Sequence, residues 1–171
     1  MFIDETGWKL SPSVEHTWGK RGQTPVVKRS LRRDKLNVIG AVTDSGQFLS
    51  QTHTRSVTQK EIARFLSHVL DWVQGPIMVI WDGARIHNIS NAVAKFMERS
   101  YGQRVLECIK LPAYAPELNP TELAWRWLKS QGIGNRSPQS LDELKALWRK
   151  AKQKFKKRVD VLALIRHALH V

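Results

Sequence analysis

Three short segments in the first third of the chain have the composition and two-sided pattern of β-strands. They are residues 1–10, 36–43 and 47–54. The last two flank Asp44-Ser45-Gly46, a three-residue connection that is typical of a β-hairpin. We therefore expect the chain to begin with a meander of antiparallel strands.

Apolar residues recur at helical spacing in several later segments. Capping boxes at residues 58–61 and 140–143 mark two helix starts, and Asn119-Pro120 marks another. We expect helices over residues 59–74, from residue 88 or 90 to about 100, from residue 120 onward, and from residue 141 onward. The last of these is basic and amphipathic.

Residues 77–81 are apolar at every position, which is typical of a central strand covered on both faces. Residues 105–109 form another short strand segment. This order favours an α/β fold, a mixed sheet flanked by helices as in the ribonuclease H-like architecture, although other α/β folds share parts of it. We expect a single domain over residues 1–171, with basic C-terminal helices from about residue 137.

The composition is that of a globular protein, with 42% hydrophobic and 25% charged residues. No apolar run is long enough to span a bilayer, and no leader pattern opens the chain. We therefore expect an intracellular, cytoplasmic protein without a membrane partner. Cys108 is the single cysteine, and we expect it to be a small buried residue.

The net charge of +13 indicates a polyanionic partner. From Arg126 to the end, twelve basic and three acidic residues give a charge of +9, and a second basic group lies between the first two strand segments. The candidates for phosphate contact in these two groups are Lys20, Arg21, Arg32, Arg33, Lys35, Lys150 and Lys154. The alternative is a solvated face that only aids solubility.

Three acidic residues lie at the edges of different expected elements: Asp4 on the first strand, Asp82 after residues 77–81, and Glu122 in the first turn of a helix. Carboxylates brought to one point from distant segments can hold two divalent cations, which activate water for attack on a phosphodiester. Hard oxygen ligands favour Mg²⁺ over zinc. These three residues are therefore candidate catalytic residues and metal ligands.

Each of these acids also has a structural explanation. Asp4 could lie on an edge strand, Asp82 could form a turn, and Glu122 could cap its helix. Capping does not explain the proline-stiffened segment before Glu122, and it does not explain an acid at the end of a wholly apolar strand. Strand alternation and the position before the helix make two other acids weaker candidates, Glu5 and Glu117.

Three motifs resemble those of a known family. They are IDETG at residues 3–7, WDGARIH at 81–87 and LPAYAPELNPTELAWRWLK at 111–129, of which the last is the longest and most specific. They resemble the DDE transposases of the mariner superfamily and its bacterial insertion-sequence relatives, from Met1 to roughly Lys129. The resemblance assigns Asp4, Asp82 and Glu122 to the catalytic triad. The second gap, 39 residues, is longer than in many relatives.

The resemblance implies that DNA is cleaved at transposon ends with Mg²⁺ or Mn²⁺, two ions, and that the freed 3′ hydroxyl then attacks target DNA. It also implies a homodimer as the active form, and a place at the bacterial nucleoid. His87 matches the family pattern and is an auxiliary candidate, near the scissile phosphate or, as we favour, in a structural role. Two further residues could contact a phosphate, Arg85 and Lys129.

One departure from the family concerns its usual helix-turn-helix region, because only three residues precede Asp4. We expect a separate N-terminal DNA-binding region joined by frameshifting, a truncated remnant, or a catalytic domain acting alone. Two functions compete with transposition: a structure-specific nuclease of the same fold, and an inactive DNA-binding remnant.

Overall fold

A five-stranded sheet forms the centre of the fold. The computed structural model of the protein describes residues 1–11, 14–27, 32–84, 92–99 and 102–170. The strands are β1 (Phe2–Lys9), β2 (Lys35–Val42), β3 (Phe48–His53), β4 (Ile77–Trp81) and β5 (Val105–Lys110). The helices are α1 (Gln59–Trp72), α2 (Ala92–Met97), α3 (Pro120–Ile133), α4 (Leu141–Arg158) and α5 (Val161–Leu169).

The sheet is mixed, with strand order β3-β2-β1-β4-β5. Strands β2 and β3 pair antiparallel over six residues of each strand, from Asn37 opposite His53 to Val42 opposite Phe48. Strand β4 pairs parallel with both β1 and β5. The expected mixed α/β architecture and the expected hairpin are therefore confirmed.

The hairpin turn depends on Gly46, whose φ of +78° lies in the left-handed region that glycine adopts without strain. Its N–H donates to the carbonyl of Thr43 at 3.0 Å, and the N–H of Thr43 donates to Gln47 at 3.0 Å. These bonds set the register of β2 against β3.

Helix α1 begins as its sequence predicts. The Thr58 side chain accepts from the N–H of Lys60, and Glu61 accepts from the N–H of Thr58, which completes the capping box. Its apolar stripe, which packs in the main core, consists of Ile62, Phe65, Leu66, Val69 and Leu70. The helix ends at Trp72, two residues before the expected end.

The expectation for β4 is wrong in one respect. The central strand is β1, and β4 lies beside it. Ile77, Val79 and Trp81 are buried, but Met78 is 49% exposed. The continuous apolar run therefore does not reflect cover on both faces, because one face of β4 remains open to solvent around Met78.

The chain divides into two compact units. Unit 1 comprises Met1–Thr6, Asn37–Leu123 and Asp160–Val171, and unit 2 comprises Gly7–Leu36 and Ala124–Val159. Unit 1 carries 9 basic and 11 acidic residues, a net charge of −2, whereas unit 2 carries 19 basic and 4 acidic residues, a net charge of +15. The whole positive surplus therefore belongs to unit 2. A single domain stays a prediction.

Unit 2 has an aromatic core. The rings of Trp8 and Trp148 meet edge to face with centroids 4.9 Å apart, and Trp125 lies 6.3 Å from Trp148. Trp125 and Trp148 are buried. Two other tryptophans, Trp18 and Trp72, are largely exposed.

Helix α4 begins at the expected place with half of its expected capping box. The Ser140 side chain accepts from the N–H of Glu143, but the Glu143 carboxylate accepts from the N–H of Gln139 rather than from that of Ser140. The Glu143 carboxylate still accepts from a backbone N–H next to the helix start. The donor is Gln139 in place of Ser140, so the helix start remains capped.

Cys108 on β5 is partly buried and packs against the main core. Burial, together with the smaller effect of the nearby Glu107 carboxylate, raises the pKa of its thiol to about 11. The side chain is thus a protonated, weakly reactive thiol at neutral pH, in line with its expected packing role.

Within the part of the chain that the structure describes, every helix is too short or too polar to cross a lipid bilayer.

Candidate active site

The first two acidic candidates come together through strand pairing. Phe2 of β1 lies opposite Ile80 of β4 in a parallel pair, and the N–H of Ile80 donates to the carbonyl of Met1 at 2.9 Å. The same register carried two residues further places Asp4 beside Asp82. The parallel pairing thus brings Asp4 on β1 level with Asp82, the residue that directly follows the end of β4.

The third acid, Glu122, reaches the same place through the segment that precedes α3. The N–H of Leu111 donates to the carbonyl of Trp81 at 2.8 Å, which ties the start of this segment to the end of β4. The hydroxyl of Thr121 donates to the carbonyl of Phe2 at 3.3 Å, which ties the first turn of α3 to the start of β1. Glu122 is therefore held next to both strands.

Asn119 caps the start of α3, as expected. Its side-chain oxygen accepts from the N–H of Thr121 at 3.1 Å, and its carbonyl accepts from the N–H of Glu122 at 3.0 Å. Asn119 and Thr121 are both buried. A buried cap fixes the helix start and with it the backbone of Glu122.

A cleft of about 240 Å³ is lined by all three acids. Its other lining residues are Gly83, Asn119 and residues 111–116, and all of them belong to unit 1. Glu5 and Glu117, the two weaker candidates, are not among the described residues that line it. The structure therefore brings Asp4, Asp82 and Glu122 together and separates them from the competing acids.

The three carboxyl groups differ in their surroundings. Asp4 is only 7% exposed, whereas Asp82 and Glu122 are exposed. One oxygen of Asp82 accepts from the N–H of Ala84 at 2.9 Å, which orients the turn after β4. Over the described residues, no three side chains of His, Cys, Asp or Glu are grouped closely enough to hold a metal ion.

The arrangement concentrates negative charge in one cleft. Up to three carboxylates face the same space, and Asn119 adds an amide to the lining. Carboxylate and amide oxygens are hard ligands that suit Mg²⁺ and Mn²⁺. The donor chemistry of the cleft therefore fits a hard divalent cation, and the present spacing of the side chains is wider than such an ion requires.

The basic candidates other than Arg85 lie in unit 2. Lys129 on α3 is partly buried. Arg32 forms an ion pair with Asp34 at 3.4 Å and donates to the carbonyl of Gln139 at 3.3 Å, so part of its binding capacity is used within the chain. The exposed members are Lys20, Arg21, Arg32, Arg33, Lys35, Lys150 and Lys154. Arg85 and His87 lie outside the described residues.

The structure adds Tyr114 to the cleft, which the motif analysis did not single out. Its side chain is fully exposed, and its backbone has a φ of +60°. The sequence marks residues 111–116 as a stiff proline-containing segment, but a left-handed conformation in a tyrosine has no sequence signal of its own. Only the folded chain shows that Tyr114 lines the same cleft as the three acids.

Comparison with known proteins supports the fold. One match is a structure described as the Mos1 strand transfer complex. The alignment covers 99% of this chain and 51% of the Mos1 chain, with a TM-score of 0.70 and 16% identity. The Mos1 mariner paired end complex with Mn matches 99% of this chain and 51% of its own, with a TM-score of 0.65 and 16% identity. The likeness confirms the ribonuclease H-like architecture.

The catalytic domain of Mos1 mariner transposase also matches. The alignment covers 98% of this chain and 75% of that domain, with a TM-score of 0.58 and 14% identity. The present chain spans about half the length of the Mos1 chains in the larger complexes. A search of curated protein sequences finds no match.

The sequence itself matches a family model. Residues 1–145 match the model described as DDE superfamily endonuclease. The matched region contains β1, β4 and the start of α3, and therefore all three acids of the cleft. The chain belongs to the DDE superfamily endonuclease family.

Proposed function

We propose that this chain is the catalytic domain of a DDE transposase, which cuts DNA at transposon ends and joins the freed end to target DNA. One observation carries the proposal: Asp4, Asp82 and Glu122, from three separate elements, line one cleft in a chain of the DDE superfamily. The structures that match it include a strand transfer complex of Mos1.

Asp4, Asp82 and Glu122 would hold the metal, as two Mg²⁺ or Mn²⁺ ions. The support is the oxygen-only donor set, together with Mos1 complexes described with Mn and with Mg. When bound, such ions lower the pKa of the attacking water or hydroxyl and stabilise the leaving 3′ oxygen. The exposed side chains of Asp82 and Glu122 would have to turn towards the buried Asp4 to reach ligand spacing.

In the first step, water attacks the scissile phosphorus and the P–O3′ bond breaks, which leaves a 5′ phosphate and a 3′ hydroxyl. In the second step, that hydroxyl attacks a phosphodiester of the target, and the target's own 3′ oxygen departs. The chain contributes one carboxylate on β1, a second on the residue that follows β4, and a third in the first turn of α3. Anchoring their backbones on a sheet and a capped helix limits the reorganisation needed in each step.

DNA is the proposed partner, and unit 2 is the proposed source of its affinity. Its net charge of +15 favours phosphate contacts, which are independent of base sequence. We infer a homodimer as the active form, since the Mos1 relatives include paired-end complexes. An enzyme of this kind works where the DNA is, which in a bacterial cell is the nucleoid.

The first test removes one carboxylate of the cleft. Asp82→Asn should lower Mn²⁺-dependent nicking of a supercoiled plasmid by more than about 100-fold, because it removes a charge that holds the cations. The matched control is Glu117→Gln, an exposed acid on the short 3-10 turn Pro116–Leu118 that does not line the cleft. It should nick at the wild-type rate. Calorimetric titration with Mn²⁺ should show weaker binding for the Asp82 variant alone.

Three outcomes separate this proposal from its competitors. Joining of a pre-cut 3′ end to a second DNA supports transposition, whereas cutting without joining supports a structure-specific nuclease. DNA binding without cutting in the wild-type protein supports an inactive remnant. Equal nicking by wild-type protein and Asp82→Asn would contradict a catalytic role for the cleft.

A further inference from the structure

Tyr114 combines three properties that a structural role does not explain. Its side chain is 101% exposed, its φ is +60°, and it lines the cleft with Asp4, Asp82 and Glu122. The left-handed conformation costs free energy for every residue with a side chain. A ring that buries no surface does not stabilise the fold in return. The strained backbone at Tyr114 therefore favours a role in binding another molecule over a role in folding.

The segment that carries Tyr114 is held at both ends. Leu111 is bonded to the end of β4, and Asn119 caps α3 after a short 3-10 turn, Pro116–Leu118. Pro112 and Pro116 fix two further backbone angles in the segment. The ring is therefore presented from a stiff support, and binding to it requires little loss of backbone freedom.

The ring's surroundings define what it can bind. The exposed residues next to Tyr114 are Pro112 and Ala113, which carry no charge, and none of the described residues that line the cleft is basic. A phosphate is therefore a poor partner for this part of the cleft, whereas a flat aromatic ring is a good one. Nucleobases stack on aromatic side chains whatever their identity, because each has a π-face.

We propose that Tyr114 stacks on a DNA base next to the scissile phosphate and so positions the strand over the three acids. This inference rests on the proposed function, since it takes DNA as the substrate of the same cleft. The phenol hydroxyl has no part in it. The role requires a ring, and phenylalanine or tryptophan should supply it equally well.

The test measures nicking of supercoiled plasmid with Mn²⁺ for Tyr114→Ala, Tyr114→Phe and Tyr114→Trp. Loss of one base-stacking contact lowers the rate by about 10-fold for the alanine variant. The phenylalanine and tryptophan variants should stay within about 2-fold of wild type. The matched control is Trp72→Ala, another exposed aromatic residue, which does not line the cleft and should have no effect.

A second measurement does not depend on cutting. Oligonucleotides carry 2-aminopurine at successive positions, and Ca²⁺ replaces Mn²⁺. Stacking on Tyr114 should quench the fluorescence at one position with wild-type protein and with Asp82→Asn, and not with Tyr114→Ala. If the wild-type protein shows this quenching but never cuts DNA, the proposed function fails while the stacking contact stands.

Two results would overturn the inference. A phenylalanine variant as defective as the alanine variant would assign the role to the hydroxyl group. Wild-type nicking and unchanged fluorescence in Tyr114→Ala would show that the ring makes no contact with the DNA.

Discussion

Gly132, near the end of α3, allows a close approach that no other residue would permit. A β-carbon at this position would overlap atoms Cη2 and Cζ3 of the Trp8 ring and lie 3.2 Å from the β-carbon of Ala151. Trp8 is buried and packs edge to face on Trp148. The glycine therefore lets the helix backbone lie directly against the aromatic core of unit 2.

Gly132→Ala should destabilise the protein even though alanine is the better helix former. The gain in helix propensity is about 1 kcal/mol, whereas forcing a methyl group into a packed core costs about 1–3 kcal/mol. We expect a net loss of about 1 kcal/mol in the free energy of unfolding, measured by urea denaturation. Gln131→Ala, an exposed neighbour on the same helix, should change it by less than about 0.5 kcal/mol.

A double mutant checks the cause of that loss. Trp8→Phe removes the ring atoms that the new methyl group would meet, so Gly132→Ala should cost less in this background. An equal cost in both backgrounds would show that the overlap with Trp8 is not responsible.

Some residues that line the cleft could be identified from the sequence, and others could not. Strand alternation predicts that only one residue of the pair Asp4 and Glu5 faces a given site, and Asp4 is the one that lines the cleft, because the period of two is a local property of the backbone. The sequence did not mark Tyr114, because its exposure and left-handed backbone depend on how the chain is anchored at Leu111 and Asn119.

At the level of elements, α1 has an unusual end. Its last turn contains no basic residue of its own. The guanidinium of Arg104, from the 3-10 turn before β5, donates to the carbonyls of Leu70 at 2.9 Å and Gly75 at 2.8 Å and also to that of Val73. It supplies both the missing hydrogen-bond donors and the positive charge that favours a helix C-terminus.

Arg104→Ala should lower the free energy of unfolding by about 2 kcal/mol, since several charge-assisted hydrogen bonds are lost at once. Thermal or urea denaturation measures the loss, and Arg104→Lys should recover only a part, because a single ammonium group cannot bridge the same carbonyls. Arg99→Ala is the matched control, an exposed arginine after α2, with an expected change near zero. Equal stabilities of the two alanine variants would contradict this role of Arg104.

Element boundaries were predictable wherever a local signal defines them. The capping box of α1, the Asn119 cap and the limits of β4 all follow from short-range patterns. The exposure of Met78 did not follow, because an apolar run does not reveal which neighbours cover each face of a strand. The position of β1 at the centre of the sheet is likewise a matter of long-range pairing.

For the molecule as a whole, the main feature is the uneven distribution of charge. Unit 1 holds the acidic cleft and has a net charge of −2, while unit 2 has a net charge of +15. Counting charge along the sequence located only part of this asymmetry, because unit 2 is assembled from two distant segments. The proposed catalytic residues and the proposed phosphate-binding residues can therefore be altered independently.

Removing two charges from unit 2 should weaken DNA binding without changing the requirement for Mn²⁺. Lys150 and Lys154 are exposed and one turn apart on α4. If both contact phosphates, the double alanine variant should reduce the slope of log affinity against log salt concentration by about 2, measured by fluorescence anisotropy. The charge-matched control is Lys60→Ala with Lys95→Ala in unit 1. An equal loss for both pairs would contradict a special role for unit 2.

The anchoring of residues 111–119 has a consequence for how this protein can change. Two hydrogen bonds hold this region to the strands, one from Leu111 to Trp81 and one from Thr121, just after the segment, to Phe2. They involve only backbone groups and one threonine hydroxyl. None of the side chains between Pro112 and Ala115 takes part in these two bonds. Ala113 and Ala115 can therefore be varied in a library while Pro112 and Tyr114 are kept, which makes these two positions suitable for selecting altered substrate preferences.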